Sequence, residues 1–112
     1  TLHTMNISRI TDNYAVSPQL RIDEIAHCAE LGFVAIICNR PDGEDPGQPS
    51  VSDIANECVK AGLAFHHIPV SGMPIPDEAI REQRRLIEAS DGPVLGYCRS
   101  GQRSLLIWQA SA

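Results

Sequence analysis

The stretch Pro93-Val94-Leu95-Gly96-Tyr97-Cys98-Arg99-Ser100-Gly101-Gln102-Arg103-Ser104 governs the reading of this sequence. Its first five residues form an apolar run of strand length, and Leu105–Gln109 beyond it has the character of a helix. The chain must turn from strand to helix within a short, polar, glycine-containing segment, so several backbone N–H groups can converge on one spot and cradle an anion. A cysteine at the mouth of such a turn is a nucleophile: the helix N-terminus and the Arg103 guanidinium both favour thiolate over thiol, and the thiolate is the reactive form. A cysteine that merely filled the core would need no polar turn behind it. Arg103 opposes the helix dipole, a cost that suits a binding role, and it can present paired N–H donors to an oxyanion. Ser104 can donate to the Cys98 sulfur or cap the helix, and Gly101 meets a backbone need that a side chain would block. Arg99, Ser100 and Gln102 complete the anion-binding loop.

Outward from this loop, strands and helices alternate. Ser8–Ile10 and Tyr14–Val16 read as a short hairpin, and Ser17-Pro18 as a helix start followed by Ile22, Ile25, Ala26 and Ala29 on one face, with Gly32 as the stop. Phe33–Cys38 is a continuous apolar strand, as expected where both faces are covered. Asn39–Pro49, rich in Pro, Gly and acidic residues, is a loop, serving either as a substrate wall or as a stiff connector. Ser50 with Asp53 opens a second helix, whose apolar face is Val51, Ile54, Ala55 and Cys58 and whose stop is Gly62. Ala64–Val70 is a strand. Pro76-Asp77-Glu78 opens a long helix with Ala79, Ile80, Gln83, Leu86 and Ile87 inward and Gln83 as a polar interruption. Asp91-Gly92 turns into the final strand, and Trp108 on the last helix is a core residue. The expected fold is α/β, with a mostly parallel central sheet flanked by helices, in one domain spanning 1–112. Ligands bind at the carboxyl ends of such strands, which gathers the Cys98 loop, the 39–49 loop and the 71–75 loop at one edge.

Composition narrows the partners. The chain has 112 residues, 43% hydrophobic and 21% charged, with a net charge of −5. A field of that sign does not attract nucleic acid or an anionic membrane, so an anion must be captured locally. No run approaches the ~20 apolar residues that cross a bilayer, and the opening Thr1-Leu2-His3-Thr4-Met5 lacks the pattern of a signal peptide, which leads to the expectation of a cytoplasmic protein, or a module of a longer one. The cysteines at 28, 38, 58 and 98 show neither metal-ligand spacing nor disulfide density, so reduced thiols and no metal or cofactor are expected. Cys38 ends a strand at the active edge, where it either resolves a Cys98 adduct or simply packs. His66 and His67 point to opposite faces of their strand, and most such histidines are structural.

The run Cys98–Ser104 resembles both the active-site loop of rhodanese-type sulfurtransferases and a shortened loop of the protein tyrosine phosphatases. Together with Asn39–Pro49, His67-Ile68-Pro69-Val70 and Pro93–Tyr97, it resembles the beta-lactamase-hydrolase-like phosphatase domain family over nearly the whole chain. The resemblance implies a tyrosine/dual-specificity phosphatase-like fold, and members that occur alone or fused to a persulfide dioxygenase module. Two departures from the phosphatase pattern bear on the chemistry. Only four residues separate Cys98 from Arg103, one fewer than in phosphatases, and Ser71 stands where phosphatases usually carry an acidic proton donor. Asp42, Glu44, Asp45 and Asp77 are the available substitutes for that acid; Asp45 or Asp42 reaches the pocket from the acidic loop, where acidic residues are otherwise simply solvated, and Asp77 serves its helix N-terminus. The favoured expectation is sulfane-sulfur transfer through a Cys98 persulfide, from a small anionic donor such as thiosulfate or a persulfide to a thiol acceptor. The alternatives are a phosphatase that forms a cysteinyl-phosphate from a phosphate ester, and a non-catalytic module that binds an oxyanion or a protein.

Overall fold

The computed structural model describes residues 5–111; the stretch 1–4, part of the segment compared with a signal peptide, lies outside the described residues. Five strands form one sheet in the order β1-β2-β5-β3-β4. β1 (Ser8–Arg9) pairs antiparallel with β2 (Tyr14–Ser17), whereas β5 (Val94–Tyr97) lies parallel between β2 and β3 (Ala35–Cys38), and β3 pairs parallel with β4 (Ala64–His67). The strand that delivers Cys98 is therefore central, with a parallel neighbour on each side. Its residues and those of β2 and β3 are buried throughout. Such strands must be apolar on both faces.

Alternation along these strands sends side chains into two cores. Ala15, Ile36, Leu95 and Tyr97 meet α1 (Ile25–Glu30) and α2 (Val51–Ala61) through Ile25, Cys28, Ile54 and Cys58. Tyr14, Val16, Ala35, Ile37 and Val94 meet α3 (Asp77–Ala89) and α4 (Gln102–Ser111) through Ala79 and Ile107. Trp108 is half-buried there and stacks on Tyr14, ring centroids 6.4 Å apart. Ser50 caps α2 by accepting from Asp53 N, and Gly62 ends it at φ 78°, a left-handed conformation suited to glycine.

The first helix departs from expectation. Ser17 is the last residue of β2, because the residue before a proline is held extended. Helical structure begins only with a 3₁₀ turn at Ile22–Glu24, where the Glu24 carboxylate accepts from Arg21 N at 2.7 Å. Ala26 is exposed and Cys28 takes the inward position. The run Phe33–Cys38 is strand only from Ala35, and Ala64–Val70 only to His67, although Ile68 N and Val70 N still bond to Cys38 O and Asn39 O. The last helix starts earlier than expected, at Gln102 inside the nucleophile motif.

One glycine is dictated by packing. A Cβ on Gly96 would fall inside contact distance of the Tyr14 hydroxyl and 3.1 Å from Tyr14 Cζ. Tyr14 therefore occupies the volume that any other residue at 96 would fill. Gly96→Ala is expected to lower stability by about 1–3 kcal/mol through overpacking, as measured by urea unfolding. Tyr14→Phe removes the hydroxyl that the new methyl would strike, so the double variant should lose less than the sum of the singles. Strict additivity would rule out this contact as the cause.

Candidate active site

Cys98 follows the end of β5 directly and is buried, with its N–H donating to Ser17 O at 3.4 Å. Gly101 bends the loop at φ 94°, and its N–H donates to Cys98 Sγ at 3.1 Å. The turn from strand to helix thus aims a backbone N–H at the sulfur. Ser100 Oγ accepts from Gln102 N at 3.3 Å and so secures the start of α4. Gln102 itself is exposed, and Arg99 is 70% exposed, reaching Asp45 at 3.2 Å.

The other three cysteines are buried as well. Burial pushes Cys28 up to about 12 and Cys58 up to about 11, and raises Cys38 too, which keeps all three as thiols. Cys38 Sγ donates to Arg40 O at 3.2 Å, so it packs as a satisfied thiol. His67 Nε2 lies 3.0 Å from the same carbonyl oxygen, whereas His66 lines a separate cavity with Leu86 and Ala89.

Ser104 is placed differently from the expectation that it donates to the sulfur. Its hydroxyl donates to Asn39 Oδ1 at 2.7 Å, and a hydroxyl has one hydrogen to give. Asn39 Nδ2 donates to Gln83 Oε1 at 2.7 Å and to Ile68 O at 3.0 Å. Gln83 Nε2 donates to the Tyr14 hydroxyl at 2.9 Å, which donates in turn to Ser104 O at 3.0 Å. The polar interruption in the α3 stripe thus closes a buried ring of four residues beneath the nucleophile loop. Tyr14 titrates far above its ordinary range, first because it is buried and second because of the Cys98 charge.

A cleft of about 380 Å³ opens between the loops, lined by Glu44, Asp45, Ser71, Arg99 and Arg103. A larger cavity of about 630 Å³ lies between the end of β4 and α3; Arg103 lines the smaller cleft and not this one, and Cys98 lines neither. Arg103 Nη1 donates to Glu44 Oε2 at 2.7 Å and to Val70 O at 2.8 Å, while its Nη2 donates to Glu44 Oε1 at 2.8 Å. Glu44 foremost, and the Cys98 charge after it, hold the guanidinium firmly protonated. Reciprocally, the bond from Arg103 lowers the Glu44 carboxyl to about 2.

Arg40 was not singled out in the sequence, yet it is 3% exposed and central to this edge. It donates to Glu44 Oε1 at 2.9 Å, to Gln19 Oε1 at 2.9 Å and to Asp45 Oδ2 at 2.5 Å. Asp45 lies at the cleft, shared between Arg40 and Arg99. Asp42 is engaged elsewhere: its Oδ1 accepts from Val51 N at 2.7 Å, at the start of α2. Among the described residues no three His, Cys, Asp or Glu side chains group as a metal site would require, and no helix is long and apolar enough to cross a membrane.

The chain has relatives among solved structures and curated proteins. A solved protein from Neisseria meningitidis, described as a candidate phosphatase, is 39% identical and superposes with a TM-score of 0.86 over 94% of this chain and 75% of its own. The active form of Tk-PTP is 25% identical, with a TM-score of 0.68 over 85% of this chain and 63% of its own. A beta-lactamase hydrolase-like protein of Xylella fastidiosa is 37% identical over 107 residues, which is 96% of this chain and 25% of that protein. The chain thus spans about a quarter of the length of the curated relatives it matches. A family profile described as "Beta-lactamase hydrolase-like protein, phosphatase-like domain" matches residues 6–112. The chain belongs to this phosphatase-like domain family of the beta-lactamase hydrolase-like proteins.

Proposed function

We propose that the chain is a cysteine-dependent group-transfer enzyme in which the Cys98 thiolate attacks a small anionic donor held by Arg103, and that the group transferred is sulfane sulfur. The observation that carries the cysteine chemistry is the Gly101 N–H on Cys98 Sγ, at the start of the helix that carries Arg103. Sulfur is favoured by the proton inventory of the cleft. Ser71 stands at the usual place of the acid, Glu44 is held ionised by Arg103, and Asp45 is engaged by two arginines. With thiosulfate, the thiolate attacks the outer sulfur, the S–S bond of the donor breaks, and sulfite leaves with the electron pair. No proton need be supplied to that leaving group. An acceptor thiolate then attacks the outer sulfur of the Cys98 persulfide, forms its own persulfide and restores the Cys98 thiolate, with no net change in oxidation. The short loop, with four residues between Cys98 and Arg103, suits one bound sulfur better than three phosphoryl oxygens.

The second reading is a phosphatase, supported by the relationship to the Neisseria protein at 39% identity. Arg103 and the loop would hold the phosphoryl oxygens, Cys98 would form a cysteinyl-phosphate, and Asp45 would have to leave its arginines to protonate the departing alkoxide. In either reading residues 1–112 act as one module, which we place in the cytoplasm, with no role for nucleic acid or membrane.

Intact-mass measurement separates the chemistries. After exposure to thiosulfate or glutathione persulfide, the protein should gain one sulfur at Cys98, releasable by cyanide, and Cys98→Ser should gain none. Gain of a phosphoryl group from an aryl phosphate, without a sulfur adduct, would overturn sulfur transfer in favour of the phosphatase. Arg103→Ala should lower kcat/KM by about 10²–10³, the loss typical of a removed oxyanion donor. For sulfur transfer Asp45→Asn should leave kcat within about threefold, whereas loss of a general acid costs about 10²–10⁴.

A further inference from the structure

Arg103 carries five N–H donors in a rigid plane. Glu44 and Val70 O use three of them, both on Nη1 and one on Nη2. The two that remain, on Nε and Nη2, lie along one edge of the guanidinium and form the parallel pair that grips an oxyanion. Glu44 is in turn fixed by Arg40, a buried arginine whose other bonds go to Gln19 and Asp45. Gln19 N donates to Arg99 O, so the same assembly also touches the nucleophile loop. The segment is anchored by Asp42 on α2 as well, through Val51 N.

We propose that Glu44 and Arg40 are positioning residues for Arg103: Arg40 fixes the Glu44 carboxylate, and Glu44 with the Val70 carbonyl turns the free edge of Arg103 toward Cys98 and the donor. The 39–49 loop is then a strut for the anion-binding arginine. The proposal rests on the reading of Arg103 as the ligand of the donor anion. It also sets a class of substrate, because a paired edge fits an anion with two coplanar oxygens better than a halide or a single carbonyl.

The test measures the affinity of the purified chain for inorganic phosphate by calorimetry, along with kcat and KM for thiosulfate with cyanide as acceptor. Glu44→Gln keeps the size of the side chain but sets an amide N–H₂ against the guanidinium. It should weaken phosphate binding and lower kcat/KM by about tenfold, on the scale by which misplaced binding groups reduce rates. Arg40→Met should do the same, and the double variant should be no worse than the poorer single, since Arg40 acts through Glu44. Where Arg40→Met does not fold, Arg40→Lys replaces it: the charge stays, but one ammonium cannot replace the planar guanidinium in bridging Glu44, Asp45 and Gln19. In the NMR spectrum the Arg103 Nε–H resonance should be sharp in the parent protein and broadened in Glu44→Gln, a change that a purely structural role would not produce. Unchanged or tighter phosphate binding in Glu44→Gln would overturn the proposal, tighter binding making Glu44 a competitor for the anion; multiplicative losses in the double variant would overturn it too. If Arg103→Ala itself binds phosphate normally, the earlier reading of Arg103 fails and this inference with it. If Arg103→Ala loses affinity while Glu44→Gln keeps it, the inference alone falls.

Discussion

The active edge of this protein depends on a closed circuit of hydrogen bonds running through Asn39, Gln83, Tyr14 and Ser104, all of them buried. These residues come from the end of β3, the middle of α3, the start of β2 and the first turn of α4. Leaving a buried polar group without its partner costs about 1–3 kcal/mol, so a shift of any one element exposes the others to that penalty. Among the described residues no buried side-chain nitrogen or oxygen lacks a partner. The circuit thereby fixes where α4 begins, and α4 begins inside the motif that carries Cys98 and Arg103. Gly96 belongs to the same constraint, since only an absent side chain leaves the Tyr14 hydroxyl room to reach Gln83 and Ser104.

What the sequence disclosed follows from the range of the interactions involved. The continuous apolar runs of β3 and β5, the Ser50 cap, the Gly62 stop and the polar turn after Cys98 are local, and local patterns are legible one element at a time. The misplaced first helix was also local: Ser17-Pro18 has the composition of a helix start, but sheet pairing of Ser17 with Tyr97 claimed the position first. Gln83 stood out as a polar residue in an apolar stripe, and that oddity was the one visible trace of the circuit. Its partners are far away in the chain, Tyr14 and Asn39, and no spacing rule connects them. The same holds for Glu44, on the loop after β3, and Arg103, in the first turn of α4, which meet only because β3 and β5 are neighbours. Arg40 offered a weak signal, a cation two residues beyond a buried strand, where burial would demand ionic partners. Glu44 and Asp45, a few residues on, are those partners.

The electrostatics of the edge resolve an apparent conflict between a chain of net charge −5 and a site for anions. Arg40, Arg99 and Arg103 stand against Glu44 and Asp45, so the cluster holds one more cation than anion. The anion site we propose is therefore local and directional: it would draw on the oriented donors of Arg103 and the loop rather than on the field of the molecule, which repels anions at a distance.

The same cradle could in principle serve either leaving group, and what separates them is the proton. An alkoxide is a poor leaving group in water and needs an acid within hydrogen-bond reach at the moment of cleavage. Sulfite is the anion of a far stronger acid and departs without one. In this cleft both carboxylates are bound to guanidinium groups, and for Glu44 those bonds lower the carboxyl. To act as an acid, Asp45 would have to break contacts with both Arg40 and Arg99. The contacts that pair Glu44 and Asp45 with Arg40, Arg99 and Arg103 are those a phosphatase reading must break to free an acid, and this is the ground on which we propose sulfur transfer.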